Sequence, residues 1–146
     1  MKEHYVTYEC AVKLKELGFD WDVRGYYRND DTIPKVREIT ALNHNDANFK
    51  SILSAPRLDQ AQAWLRDKGV IVIAEPDWDE EIQPLSDYLT GKWYFTVWKD
   101  SNRVRCNFNP NKECEEIWVF ESYESALSAG IDEALKLLGK EVNNGM

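Results

Sequence analysis

The chain has 146 residues, of which 43% are hydrophobic, 12% are aromatic and 30% are charged. This length and hydrophobicity suffice for one buried core and exclude an intrinsically disordered protein. Its 18 basic and 26 acidic residues give a formal net charge of −8 at pH 7. Because like charges repel, we expect neither direct binding to nucleic acid nor binding to an anionic membrane surface.

The first predicted element is an amphipathic helix between Thr7 and Leu17. Cys10 and Leu14 recur at helical spacing on its apolar side. Thr7 can cap the first turn, and Gly18 follows where a left-handed residue favours the end of a helix. We therefore expect Cys10 to be a core residue rather than a nucleophile.

Residues 19–48 give weaker signals. The stretches GYYR and KVREITAL are candidate strands, separated by the turn-rich stretch NDDTIP. Arg24 and Arg28 lie near the first of these strands, and Arg103 and Arg105 lie near a later aromatic strand. These arginines could accept an anionic ligand or remain solvated. Two strands are the prediction for this segment.

The clearest unit is the stretch SAPRLDQAQAWLRDKGVIVIAEP. Ser54 can cap a helix, Pro56 is tolerated in a first turn, and Gly69 can end the helix. Residues 70–74 then form a short apolar run rich in β-branched side chains, which is typical of an interior strand. The predicted apolar stripe of this helix consists of Leu58, Ala61, Trp64 and Leu65.

Three further strands are predicted in the stretches KWYFTVWKD, VRCNF and EIWVF. The first alternates two sets of side chains, as the two-residue period of a strand requires. Turn-forming residues separate the three stretches, which indicates an antiparallel meander. One face of the first strand carries Trp93, Phe95 and Val97, and the other carries Tyr94, Thr96 and Trp98.

The last predicted element is a helix that Ser122 caps and Gly139 ends, followed by a flexible tail at residues 140–146. No linker or repeat divides the chain. The sequence therefore predicts one α+β domain over residues 1–139. It should contain an antiparallel sheet of four to six strands, with two or three helices packed mainly on one face.

Three stretches carry a resemblance to a known family: the opening YVTYECAVKLKELGF, the central SAPRLDQAQAWLRDKGVIVI and the closing FESYESALSAGIDEALKLL. They resemble short uncharacterised proteins of gut Bacteroidetes, their phages and mobile elements. In that family a Ser-Ala-Pro entry and a Trp-Leu-Arg segment mark a helix before an apolar strand, and a Tyr-x-x-Ala pattern opens the final helix. The resemblance covers about half the chain and implies a source and a related fold, without an activity, cofactor or catalytic residue.

The acidic run EPDWDEE, at residues 75–81, offers the most polar chemistry. It contains Asp77, Trp78, Asp79, Glu80 and Glu81. The alternating acids begin like a calcium-binding loop, but the required glycine and the final glutamate of that loop are missing. A solvated loop is the favoured interpretation, and a weak cation site or an acidic surface facing a partner are the alternatives.

Motifs for other chemistry are missing. The sequence has neither of the glycine-rich phosphate-binding motifs GxxxxGK[ST] and GxGxxG. Its two histidines and three cysteines lack the close spacing of zinc ligands. We expect no metal, no cofactor and no catalytic residue. The odd number of cysteines, the polar N-terminal stretch and the absence of a long apolar run predict a reduced cytoplasmic protein that does not enter a membrane.

The aromatic residues are the better indication of binding. Tyr94 and Trp98 on one strand, with Tyr26 and Tyr27 on another, could line a platform if helices leave that sheet face uncovered, although core packing is favoured. We therefore expect a non-enzymatic accessory protein that binds another macromolecule, with a protein as the favoured partner, through an acidic or aromatic surface. A small-ligand binder or hydrolase that uses the aromatic face with nearby carboxylates is the alternative, and a homo-oligomer that buries this face is a third possibility.

Overall fold

A computed structural model describes residues 4–28, 31–78, 89–100, 102–106 and 120–144. Side chains are described throughout these ranges except at 77–78, 89–92, 102–106 and 141–144. Three helices and six strands lie in these ranges. In chain order they are α1 (Tyr8–Glu16), β1 (Gly25–Arg28), β2 (Lys35–Val36), β3 (Ile52–Ser54), α2 (Leu58–Asp67), β4 (Val70–Trp78), β5 (Leu89–Lys99), β6 (Asn102–Cys106) and α3 (Tyr123–Asn144).

The chain forms two compact units. The first comprises residues 1–64 and 135–146, and the second comprises residues 65–134. The first contains an antiparallel sheet in the order β2-β1-β3, and the second an antiparallel sheet in the order β4-β5-β6. The predicted α+β class is confirmed, although the six described strands divide between two sheets and the sequence predicts one.

In the first unit, α1 begins and ends as predicted. The Thr7 hydroxyl accepts a hydrogen bond from the Cys10 backbone N–H at 3.2 Å, and Gly18 has a φ of 91° just after the helix. Because a side chain at such a φ is strained, glycine is well suited to this position. The hydroxyl of Tyr27 in β1 donates to the Val6 carbonyl at 2.7 Å, which ties the segment before α1 to the sheet.

The core of the first unit is apolar. The Trp64 ring of α2 contacts the Phe19 ring at 5.6 Å between centroids. Cys10 is fully buried as predicted, which supports its packing role. Other buried side chains of this unit are Val6, Ala11, Leu14, Val23, Tyr27, Leu53, Ala61 and Leu135.

In the second unit, β4 and β5 pair over most of their lengths. Val72 lies opposite Val97, and Ala74 lies opposite Phe95. Since opposite residues of antiparallel strands point to the same side, these four side chains share one sheet face. Val72, Phe95 and Val97 are buried, so this is the core face of the sheet.

Helix α3 covers that core face. A Cβ atom added at Gly130 would lie 2.6 Å from Cγ1 of Val72 and 3.2 Å from the Phe95 side chain, so the helix backbone touches the sheet there. Ser122 caps α3 as predicted, because its hydroxyl accepts from the Ser125 backbone N–H at 3.1 Å. The buried residues of the covering helix within this unit are Ala126, Leu127, Ile131 and Ala134.

Two predicted helix boundaries are wrong. Ser54 does not cap α2, because it pairs with Tyr26 as the last residue of β3. Instead, the backbone N–H of Arg57 donates to the Gln60 side chain at 2.9 Å just before the helix. Gly139 does not end α3, which continues to Asn144 with Gly139 in its interior.

Two predicted strand boundaries also differ. The run EPDWDEE was expected to be a loop, but its first four residues belong to β4, because Glu75 and Pro76 pair with Tyr94 and Trp93 of β5. Pro76 lacks an N–H group, and the register shifts between Pro76 and Trp78, as is common where proline enters a strand. Of KVREITAL, Lys35 and Val36 alone form a strand.

The one-domain organisation over residues 1–139 and the flexible tail stay predictions. The division between the two units falls inside α2, after Trp64, and inside α3, after Ala134. None of the described helices is both long enough and apolar enough to cross a membrane.

Candidate functional site

The face of β4 and β5 opposite the core face carries the aromatic side chains that the sequence singled out. Tyr94 lies opposite Glu75, and Trp98 lies opposite Ile71. Strand alternation therefore places Tyr94 and Trp98 on one side, as predicted. We call this surface the aromatic face, and its members are Ile71, Ile73, Glu75, Tyr94, Thr96 and Trp98.

Two hydrogen bonds fix side chains on the aromatic face. The Tyr94 hydroxyl donates to the Glu75 carboxylate at 2.6 Å, a short distance typical of a bond to a charged acceptor. The Trp98 indole N–H donates to the Thr96 hydroxyl at 3.0 Å. The Trp98 ring therefore lies along the strand and helps to bury Thr96, which is 5% exposed.

The aromatic face is partly open to solvent. Ile71 is 44% exposed, although large apolar side chains usually avoid water, and its cross-strand partner Trp98 is half-buried. Tyr94 is half-buried as well. The favoured interpretation predicts that Tyr94 and Trp98 are core residues. Both side chains are less buried than the core residues of the protein.

The acidic run cannot be placed as a whole. Asp77 and Trp78 are the last residues of β4, with the backbone alone described, and Asp79, Glu80 and Glu81 lie outside the described residues. The interpretation as a loop is therefore wrong for Asp77 and Trp78. Whether these acids bind a cation or a partner stays a prediction.

The residues of the predicted tyrosine platform are divided between two sheets. Tyr26 and Tyr27 belong to β1, in a different sheet from Tyr94 and Trp98. As neighbours in a strand, Tyr26 and Tyr27 also point to opposite faces. Tyr27 is 3% exposed and belongs to the core of the first unit.

A second group of polar side chains surrounds Tyr26. The imidazole of His44 stacks on the Tyr26 ring at 5.0 Å between centroids, with the ring planes 19° apart. The Arg37 guanidinium lies 5.0 Å from the centre of the same ring, and its Nε donates to His44 Nε2 at 2.8 Å. We call Tyr26, Arg37 and His44 the arginine–histidine cluster.

His44 is fully buried yet polar. Burial first, and the nearby Arg37 charge second, lower its pKa from 6.5 to about 4, against weaker opposing effects of Asp22 and the Leu42 carbonyl. A neutral ring that accepts at Nε2 carries its proton on Nδ1. Nδ1 is buried and makes no hydrogen bond of normal geometry within the described residues.

Two hydrogen bonds from backbone N–H groups to side chains join the segment that carries His44 to β3. The His44 N–H donates to the Ser54 hydroxyl at 3.0 Å, and the Ser54 N–H donates to the Asn45 side chain at 2.9 Å. Ser54 is therefore a support of the cluster instead of the predicted helix cap. The sequence analysis named Tyr26 but neither Arg37 nor His44, and the polar stretch NHND around His44 was the signal that could have indicated them.

The first unit also contains a cleft of about 380 Å³ beside the start of α1. Tyr94 and Trp98 do not line it. No group of three or more potential metal-ligating side chains occurs within the described ranges. The lining of the cleft includes His4, Tyr5, Val6, Thr7, Tyr8, Glu9, Tyr27, Thr32 and Pro34.

Comparison with known protein families, with curated proteins and with solved structures finds no match for this chain.

Proposed function

We propose that this chain is a non-enzymatic accessory protein that binds another protein through the aromatic face. The observation that carries the proposal is the exposure of Ile71 beside the half-buried Trp98 on a sheet face opposite the one that α3 covers. Protein interfaces combine aromatic anchors with apolar contacts and a few polar groups. The aromatic face offers each of these, since the paired Tyr94 and Glu75 supply the polar component.

The net charge of −8 supports a protein partner over nucleic acid, because a phosphate backbone would be repelled. The acidic run extends the proposal, since β4 continues from the aromatic face into Asp77 and Trp78. A basic surface on the partner would complement these acids. Cytoplasmic localisation and kinship with short proteins of gut Bacteroidetes and their mobile elements are parts of the same proposal.

A small ligand bound at the aromatic face is the second candidate. The fixed pair of Glu75 and Tyr94 favours it, because a carboxylate oriented beside aromatic rings can hold a sugar or another hydroxyl-bearing molecule. The cleft in the first unit does not include these side chains, so the aromatic face itself would have to hold such a ligand. A shallow face of this kind suits a macromolecule better than an enclosed substrate.

The test is affinity capture from a lysate of the source organism with the tagged chain and a double variant, Ile71→Thr with Trp98→Thr. Threonine preserves strand propensity and removes the apolar contact area. We expect a partner in stoichiometric amount with the unaltered chain and its loss with the double variant. Circular dichroism confirms that the variant is folded.

Two further variants test whether the partner binds the aromatic face or the acidic run. Ile39→Thr alters an isoleucine that is 94% exposed and lies outside the aromatic face, so it should keep the partner. The quadruple change Asp77→Asn, Asp79→Asn, Glu80→Gln and Glu81→Gln tests the acidic run. A partner lost with Ile39→Thr but kept by the double variant would contradict the proposal. Light scattering tests the homo-oligomer, in which the double variant would convert an oligomer into a monomer.

A further inference from the structure

Arg37 is held in place by two neighbours in the first unit. Its Nε donates to His44 Nε2 at 2.8 Å, and its guanidinium lies 5.0 Å from the centre of the Tyr26 ring. His44 is itself immobilised, because it is fully buried and stacked on Tyr26. A long and flexible arginine side chain is therefore ordered before any ligand arrives, which reduces the entropy lost on binding.

The two terminal nitrogens of Arg37 contact no acceptor among the described residues. Within the part of the chain that the structure describes, neither Nη atom of Arg37 makes a hydrogen bond or an ion pair. Arg24 lies beside it, since its Nε donates to the Arg37 carbonyl at 2.7 Å and its Nη2 donates to the Glu38 carbonyl at 2.8 Å. The Nη1 of Arg24 is likewise unused among the described residues.

Within the described ranges, no carboxylate compensates the charge of Arg24 or Arg37 at short range. Neither forms an ion pair with a described carboxylate, although the chain has 26 acidic residues. The neighbouring Asp22 is exposed and favours protonation of His44 without pairing with Arg37. His44 accepts from Arg37 as a neutral ring and adds no negative charge. Two fixed positive groups, with donors that no described residue uses, therefore lie together on a protein with a net charge of −8.

We propose that Arg37, supported by Tyr26 and His44 and assisted by Arg24, binds an oxyanion group, either the phosphate or the carboxylate of a small ligand. Guanidinium groups bind both through two parallel N–H bonds, which require free and oriented Nη atoms. In this site Nε is occupied by His44, so the two Nη atoms make the contact. Arg24 directly precedes β1, Tyr26 lies in β1, and Arg37 and His44 follow β2.

The test is titration of the full chain with inorganic phosphate and, separately, with acetate, followed by NMR of the arginine Nε–H and tryptophan indole signals. We expect saturable shifts of the Arg37 Nε–H signal with at least one anion, with a dissociation constant on the order of 1 mM. Saturation with phosphate alone identifies a phosphate ligand, and saturation with acetate alone identifies a carboxylate. No saturable shift with either anion would overturn the proposal.

Matched variants separate a built site from general charge attraction. Arg37→Gln should weaken binding by about tenfold or more, and Arg37→Lys should also weaken it, because lysine keeps the charge but loses the planar pair of donors. Arg66→Gln removes the same charge from an exposed residue of α2 and should leave binding unchanged. Equal weakening by Arg66→Gln and Arg37→Gln would overturn the site.

The supporting role of His44 has its own readout. His44→Ala should weaken binding, and His44→Gln should restore much of it, because the glutamine side-chain oxygen can accept from Arg37 Nε. Unchanged tryptophan signals show that each variant is folded. A His44→Ala variant that is folded and binds the anion as tightly as the unaltered chain would contradict this support.

Discussion

The two sheets position their candidate sites by different means. At the sheet of β1, β2 and β3, hydrogen bonds and stacking order a strand tyrosine together with an arginine and a buried histidine of the segment between β2 and β3. In the sheet of β4, β5 and β6, the backbone of α3 presses directly on Val72 and Phe95, and apolar packing orders the strands. The hydrogen bonds of the first sheet depend on the protonation state of the histidine. The packing of the second sheet depends on the volume of its buried side chains. The two units should therefore respond to different perturbations.

Acidification should produce the largest effect, and it should act through His44. Its pKa in the folded protein, about 4, lies below the ordinary value of 6.5, so the unfolded chain binds a proton more readily between these pH values. Stability is therefore fully present above pH 6.5 and falls as the pH drops toward 4. We expect the free energy of unfolding to fall by about 3 kcal/mol over this range, and urea unfolding at a series of pH values tests this expectation.

His44→Gln is the matched variant for this comparison. Glutamine can accept from Arg37 but does not titrate, so it removes the contribution of the histidine. Carboxylates also titrate near pH 4, and subtracting the variant's pH profile from that of the unaltered chain removes their effect. Identical profiles for the two proteins would contradict the assignment of a neutral, buried His44.

A volume change at Gly130 should be the next largest effect. Gly130→Ala places a Cβ atom 2.6 Å from Val72, so α3 or the sheet must shift, and we expect a loss of about 2 kcal/mol in the free energy of unfolding. Gly139→Ala is the control in the same helix. No described residue has an atom within 4 Å of its Cβ position, and alanine should stabilise α3 by about 0.5–1 kcal/mol. Thermal unfolding measures both changes.

The same two perturbations test the one-domain organisation. His44 lies in the first unit and Gly130 in the second. If residues 1–139 fold as one cooperative domain, each change lowers a single transition that every probe reports alike. A change at Gly130 that splits the transition in two, with one part unmoved, would show that the units unfold separately.

Local periodicity accounts for what the sequence predicted correctly. The buried stripe of α2, the caps Thr7 and Ser122, and the two-sided strand β5 all follow from spacing within one element. Tyr94 and Trp98 were found for the same reason. Their cross-strand partners, Glu75 and Ile71, were not predicted. The register between β4 and β5 depends on pairing between the strands, which spacing within one strand does not reveal.

The arginine–histidine cluster could not be predicted, because its members come from separate segments. Tyr26 lies in β1, and Arg37 and His44 lie in the irregular segment between β2 and β3, where no period applies. The local sequence predicts that Ser54 caps a helix. In the structure Ser54 pairs with Tyr26 instead and supports the arginine–histidine cluster. Long-range pairing overrode local propensity at this position.

Loss of the Tyr94–Glu75 hydrogen bond should have the smallest effect on stability. It is also the most direct test of what orders the side chains of the aromatic face. Tyr94→Phe removes the donor and keeps the ring, and it should lower stability by about 1 kcal/mol, because the bond is part-buried and short. Glu75→Ala removes the acceptor. A double-mutant cycle by urea unfolding should give a coupling of about 1 kcal/mol between the two side chains.

The size of this coupling decides whether a hydrogen bond or packing alone orders Tyr94. Cross-strand neighbours of a half-buried face couple through the bond itself, so the double variant should be less destabilised than the sum of the single variants. Additive losses would mean that packing alone orders Tyr94, as it orders the core face. Coupling at or above the expected value would show that the second sheet also uses a polar contact, on the face that we propose for binding.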